Sequence, residues 1–160
     1  MKYDFYYYKN FFTPKECNDI STAMKLLKSN AEDDPADGVE KVATVNVIRW
    51  GDAQPLLWRM EDIAHHVNEH IFGFAINKFT TEHYVNHNIY SDKVKGKYDW
   101  HKDAILNEVY DLKLTVIANV SPERYEGGEF EFFINGPAEI PEINQQGSIL
   151  IFPSYTYHKV

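Results

Sequence analysis

The sequence contains a single cysteine, Cys17, among its 160 residues. An internal disulfide is therefore excluded, and a reducing compartment is expected. No run approaches the about 18 consecutive apolar residues that a membrane-spanning helix needs, and the N-terminal "MKYDFYYYKNFF" lacks the long apolar segment of a secretory signal. These absences predict a cytoplasmic, intracellular protein with no membrane partner.

Positive charge is also scarce, because 16 Lys and Arg stand against 24 Asp and Glu, a formal net charge of −8. A nucleic-acid backbone is therefore not expected as a partner. The local exception is "KVKGK" at 93–97, a basic turn for which a solvated loop is favoured and contact with an acidic substrate is the alternative. Aromatic residues, by contrast, make up 15% of the chain, which favours β-structure in one globular domain with a core of its own.

The helices are predicted in the first half of the chain, after an aromatic strand at 2–12. Thr13, Pro14 and Glu16 form the pattern of a capping box with proline at the first helical position, and apolar spacing extends this helix to about residue 28. The acidic stretch at 30–38 contains Pro and Gly and predicts an exposed loop.

A strand is predicted at 42–50, where β-branched residues dominate. Pro55 is expected to open a second helix, which Gly73 ends.

The second half of the chain predicts strands. Two short strands are expected within 76–90, one covered on both faces at 112–120, and two more at 127–134 and 147–154, with a short, weak strand in the connection at 135–147. Helices followed by many short strands indicate an α+β protein that is mostly β, an antiparallel sandwich or barrel with its N-terminal helices packed on one face.

Histidines occur in three groups that differ in their promise as ligands. A pair four apart on the second helix has a metal-binding spacing, but the neighbouring apolar stripe leaves it on an outer face, so a structural role is favoured for His65, His66 and His70. His83 and His87 share one face of a predicted strand, where they line a cavity or face solvent.

The third group begins in "YDWHKDA" at 98–104. In an extended segment, residues two apart point to the same side, so His101 and Asp103 can reach one ion together. A third ligand is available in His158, directly after the apolar strand that ends in "FPS". Two histidines and one carboxylate form the facial triad of non-haem Fe(II) oxygenases.

These residues carry a family resemblance. The stretches "IYSDKVKGKYDWHKDA", "LTVIANVSPERYEGGEFEF" and "GSILIFPSYTYHKV" resemble the Fe(II)/2-oxoglutarate-dependent dioxygenases, most closely their prolyl 4-hydroxylase branch. Besides the triad, the positions that match the motifs of that family are Tyr90, Gly96, Tyr98, Tyr125, Gly127, Gly128, Glu129 and the segment 147–154.

The resemblance implies a double-stranded β-helix, the cupin-like jelly-roll barrel, with His101, Asp103 and His158 as ligands of Fe(II). It also implies 2-oxoglutarate and O2 as co-substrates, with ascorbate as a supportive reductant, and hydroxylation of prolyl residues in a peptide or protein. Tyr90 matches a residue that lines the co-substrate pocket, although a buried structural tyrosine is the alternative. Tyr98 and Trp100 either wall the substrate groove or serve packing.

The sequence departs from this family at its C-terminal end. Relatives hold the far carboxylate of 2-oxoglutarate with an Arg or Lys on the strand after the last histidine, whereas no arginine of this chain matches that position. We therefore expect that the single domain, 1–160, lacks its last strand and that the native chain continues. Two alternatives stay open, namely the same chemistry on a free amino acid or other small molecule, and a non-catalytic metal-binding jelly-roll module.

Overall fold

The computed structural model describes residues 3–104 and 111–160 and is mostly β, with its α-helices in the first half of the chain. No helix in these two ranges has the length and apolar character needed to cross a membrane. The elements in chain order are β1 (Tyr6–Tyr8), α1 (Pro14–Leu26), β2 (Lys41–Val42), β3 (Thr44–Arg49), α2 (Trp50–Val67), β4 (Tyr84–Ile89), β5 (Lys97–Tyr98), β6 (Leu114–Ala118), β7 (Glu131–Phe133), β8 (Pro137–Glu139), β9 (Ile149–Pro153) and β10 (His158–Lys159).

Helix α1 begins as the sequence predicts. The Glu16 amide donates to the Thr13 hydroxyl at 3.2 Å, and the Thr13 amide donates to the Glu16 carboxylate at 2.7 Å. This capping box satisfies two amides that the first helical turn leaves without a partner. The helix ends at Leu26, slightly before the predicted end, and buries one face that includes Cys17, Ile20 and Met24.

Helix α2 begins at Trp50, not at Pro55, so that prediction is wrong. The amides of Trp50 and Gly51 donate to the carbonyl oxygens of His83 and Thr81, just before β4. Because these contacts satisfy the free N–H groups of the first turn, the helix starts a turn before its proline. After Val67 a π-helical turn follows, and the helix ends as predicted at Gly73, whose φ of 72° lies in the left-handed region.

Only one of the two strands predicted within 76–90 forms. Strand β4 pairs with β3 over six residues, while the segment before it is irregular. The amides of Phe74, Phe79 and Thr80 donate to side chains of Asn68, Glu61 and His83. The first predicted strand is wrong because side chains of α2, of the π-helical turn after it and of His83 take the hydrogen bonds that a neighbouring strand would have made.

The strands are antiparallel throughout. One three-stranded sheet has the order β1-β9-β6 and another β10-β7-β8, and two strand pairs are β2-β5 and β3-β4. Strand β6 is half-buried, while β9 is buried along its whole length. The structure confirms the mostly-β class with early helices. Within the described ranges, however, the sheets do not close into a continuous barrel.

The hydrophobic core has two parts. One lies between α1, α2 and β3 and includes Ile48 and Leu57. The other lies between the two three-stranded sheets and contains the buried side chains of Phe130, Phe132, Ile140, Ile143, Leu150 and Phe152. This second cluster supports the imidazole of His158, whose ring centre is 4.9 Å from that of Phe152.

Candidate metal centre

The segment around His101 pairs with the last residues of the chain. Tyr98 and Val160 exchange two backbone hydrogen bonds, and His101 and His158 exchange two more. Asp99 and Trp100 therefore separate the paired positions on the first strand, whereas Lys159 alone separates them on the second. This is a β-bulge, a feature that re-aims side chains and occurs often beside functional sites.

The bulge places Tyr98 and His101 on the same side of the strand pair. Their rings stack with centres 3.5 Å apart. Trp100 packs on the other side, parallel to Tyr157 at 5.9 Å and edge-on to Phe133 at 5.7 Å. The structure therefore brings Tyr98, but not Trp100, beside the imidazole of His101.

His101, Asp103 and His158 converge on one point. One ligand atom from each residue lies within 4.8 Å of the other two. The two Asp103 oxygens lie 3.5 Å from the Nε2 atoms of His101 and His158 respectively. The Asp103 amide donates to the carbonyl of Ser154 at 3.0 Å, which joins the His101 segment to the end of β9.

Each histidine of this cluster is held by its other ring nitrogen. Nδ1 of His101 lies 2.7 Å from the carbonyl oxygen of Asp99, and Nδ1 of His158 lies 2.9 Å from that of Thr156. A carbonyl oxygen only accepts, so Nδ1 carries the proton and Nε2 keeps its lone pair. Histidine ligands of metals are commonly oriented in this way.

The protonation states also suit a metal ligand set. Burial lowers the pKa of His158, which keeps its imidazole neutral. Burial by itself raises the pKa of Asp103, but its contacts with the imidazoles of His101 and His158 and the hydrogen bond from the Thr115 hydroxyl together bring it below its ordinary value. Near neutral pH the His158 imidazole is therefore neutral and the Asp103 carboxyl is ionised.

A residue that the sequence did not single out orients the carboxylate. The Thr115 hydroxyl donates to Oδ2 of Asp103 at 2.7 Å, and the Ser154 and Thr115 hydroxyl oxygens are 3.1 Å apart. Thr115 is the only hydroxyl residue in the apolar run of β6, and this isolated polar position is the one signal in the sequence that indicates it.

The phenol of Tyr90 is near enough to the Asp103 carboxylate for that charge to act on it. Burial raises the pKa of its phenol, and Tyr98, Asp33 and Asp103 raise it further, so the hydroxyl stays neutral and able to donate. Its backbone is packed closely by Gly96. A Cβ at Gly96 would lie 2.6 Å from the Ser91 amide nitrogen and 3.0 Å from Cα of Tyr90, so this turn requires glycine.

The other histidines form no comparable group in the part of the chain that the structure describes. The rings of His66 and His70 lie 4.4 Å apart, and Nδ1 of His70 bonds to the His66 carbonyl. His87 is buried, and its Nδ1 has no hydrogen-bond partner among the described residues.

Comparison with known proteins identifies the fold. No protein-family model matches the sequence, and no curated protein is similar enough to match it. Among solved structures, the crystal structure of a Pseudomonas putida prolyl-4-hydroxylase superimposes with a TM-score of 0.73 at 14% sequence identity. The superposition covers 99% of this chain and 85% of that one. The protein therefore has a prolyl-4-hydroxylase-like fold.

Proposed function

We propose that this protein is an Fe(II)- and 2-oxoglutarate-dependent dioxygenase that hydroxylates a C–H bond of prolyl residues in a peptide or protein. The observation that carries the proposal is the convergence of His101, Asp103 and His158, whose ligand atoms lie within 4.8 Å of one another. The prolyl-4-hydroxylase-like fold supports the reaction class, and the named substrate of that structural neighbour motivates the prolyl residue.

The donor set fits Fe(II). Two imidazole nitrogens and one carboxylate leave one side of a metal ion to other ligands, as in the facial triad of non-haem iron oxygenases. Because the Nδ1 atoms of His101 and His158 bind the carbonyls of Asp99 and Thr156, both Nε2 atoms are available to bind the same metal ion. The metal site is expected to lie at the mouth of a double-stranded β-helix formed by the antiparallel strands.

Bound Fe(II) supplies the oxidising chemistry, in which O2 and 2-oxoglutarate are consumed, succinate and carbon dioxide form, and the substrate gains a hydroxyl group. The chain's own residues hold and shield this centre. Thr115 binds Oδ2 of Asp103 and leaves Oδ1 for the metal, while the Tyr98 ring covers one face of His101 and excludes water from it. The neutral Tyr90 hydroxyl is a donor for a carboxylate of the co-substrate.

Metal binding is tested first. Titration of the metal-free protein with Co(II), followed by its visible absorption, should show one ion per chain. Asp103→Ala should abolish the signal, because removing the carboxylate leaves only two ligands. His70→Gln, a change in the helical histidine pair, serves as the matched control and should bind normally. Loss of the ion in the control, with retention in Asp103→Ala, would reject the triad.

Turnover is tested second. Succinate release with Fe(II), ascorbate and 2-oxoglutarate should depend on Asp103, and a peptide screen should detect a mass gain of one oxygen on proline. Oxygen gained only by free amino acids would assign the small-molecule alternative. Metal binding without any succinate release would assign the non-catalytic module.

A further inference from the structure

A buried lysine contacts the tyrosine that stacks on His101 of the metal cluster. The side chain of Lys41 is only 5% exposed, and its ammonium is 2.9 Å from the carboxylate of Asp33. Lys41 and Tyr98 face each other in the register of β2 and β5, so their side chains lie on the same face. The Lys41 ammonium is 4.9 Å from the centre of the Tyr98 ring, which in turn stacks on His101.

The buried Lys41 ammonium requires a partner of opposite charge. An ammonium withdrawn from water loses its hydration, and the loss is offset only by a partner of opposite charge. In the two ranges that the structure describes, the one ion pair of Lys41 is with Asp33. Tyr98 contributes the negative face of its ring, which attracts a cation but does not neutralise it.

The partner carboxylate comes from the acidic segment at 30–38, which has no regular helix or strand of its own beyond a single bridge at Ala31. Asp33 is 24% exposed, so water reaches the carboxylate more easily than the lysine. The segment is attached to the metal side by the Ala36 amide, which donates to the Tyr98 hydroxyl at 2.8 Å. A half-buried loop carboxylate thus pairs with a buried cation next to Tyr98.

We propose that Lys41 is the cation of a carboxylate subsite, and that Asp33 fills this subsite until a carboxylate of the bound ligand replaces it. The inference rests on the proposed function for placing that ligand at His101, Asp103 and His158. The carboxylate belongs either to the co-substrate or to an acidic substrate, and both would form the same charge-assisted hydrogen bond with the ammonium.

Two substitutions that should change the ligand affinity in opposite directions test this exchange. Lys41→Met removes the cation and keeps a side chain of similar length, and it should weaken the affinity for the carboxylate ligand by about tenfold or more. Asp33→Asn removes the competing carboxylate and should raise the affinity for the same ligand by roughly threefold or more, because the ammonium is then free to bind it. A pair that only fixes the loop would give loss of affinity in both variants.

Two ligand pairs identify the source of the carboxylate. Calorimetric titration of the Co(II)-loaded protein compares 2-oxoglutarate with 2-oxopentanoate, which lacks the far carboxylate, and a proline peptide containing Glu with its Gln counterpart. If Lys41→Met weakens only 2-oxoglutarate in the first pair, the co-substrate uses Lys41. If it weakens only the Glu peptide in the second, the substrate does. Equal effects on both members of each pair overturn the inference.

The matched control is the ion pair of Lys15 with Asp19 on α1, which has the same residue types but side chains that are 83% and 59% exposed. Lys15→Met and Asp19→Asn should leave every affinity within about twofold, as expected of a surface pair. Thermal unfolding of each variant checks folding. Should Lys41→Met not fold, Asp33→Asn decides alone, and no tightening in it overturns the inference.

The outcome is separable from that of the proposed function. A thermal-shift titration with glutarate needs no metal, and Lys41→Met should reduce the shift whether or not Co(II) binds. Absence of any glutarate effect on the wild-type protein, together with unchanged 2-oxoglutarate affinity in Lys41→Met, overturns the subsite while leaving the metal cluster intact.

Discussion

The backbones of His101 and His158 exchange two hydrogen bonds, with N···O distances of 2.9 and 3.0 Å. This reciprocal pair fixes the two imidazoles with their ring centres 4.1 Å apart, although the residues come from distant parts of the chain. The geometry of the cluster therefore depends on backbone pairing as well as on side-chain packing.

Thr115 should act as a positioning residue for the metal ligand Asp103. Thr115→Val removes the hydroxyl that holds Oδ2 and keeps the shape of the side chain, and we expect roughly tenfold weaker Co(II) binding. Thr115→Ser keeps the hydroxyl and should restore most of the affinity. Competition titration with a chelator of known affinity measures both, and equal affinities in Thr115→Val and the wild type would contradict this role.

Tyr98 and Trp100 should differ in their effects despite being two residues apart. Tyr98→Ala exposes one face of His101, and we expect at least about tenfold slower turnover. Trp100→Ala disrupts the contacts with Tyr157 and Phe133, which are worth about 1 kcal/mol of folding stability, and should leave turnover nearly unchanged. Steady-state kinetics combined with urea unfolding separates the two effects. A larger loss of turnover in Trp100→Ala would place it at the substrate after all.

Gly96→Ala should destabilise the turn between β4 and β5. The added methyl group would lie 2.6 Å from the backbone nitrogen of Ser91, which is rigid main chain. We expect a loss of about 1–3 kcal/mol in the free energy of unfolding. Lys93→Ala, an exposed change in the same turn, is the control and should have little effect in the same urea denaturation experiment.

Acid should destabilise the metal-free protein through its buried histidines. Burial lowers the pKa of His158 and of His87 below the ordinary value of 6.5, so the unfolded chain binds protons more readily than the folded one. Stability is therefore fully present above pH of about 6.5 and falls as the pH drops below it.

Urea unfolding at pH 7.5 and 5.5 measures this difference, and His87→Gln should reduce it. In the metal-loaded protein the loss should be steeper, because protonated imidazole cannot bind a metal. Stability that rises on acidification between these two pH values would contradict the assignment.

Local signals in the sequence determined part of this structure. The capping box of Thr13 and Glu16 set the start of α1, and the left-handed Gly73 ended the second helical segment, because both act through neighbouring backbone. The two-residue spacing of His101 and Asp103 indicated a shared ligand point for the same reason. The apolar segments at 112–120, 127–134 and 147–154 were sufficient to predict β6, β7 and β9, whereas the alternation at 76–90 predicted one strand too many.

Contacts between distant segments decided the rest. Helix α2 starts at Trp50 because the chain before β4 accepts its first amides, and no local pattern encodes that contact. The bulge opposite Lys159 separates Tyr98 from Trp100, and Thr115 reaches Asp103 only once the strands are packed. Lys41 lies over the Tyr98 ring because β2 pairs with β5. The sequence identifies the metal-ligating and charged side chains, whereas strand pairing decides which of them lie in one site.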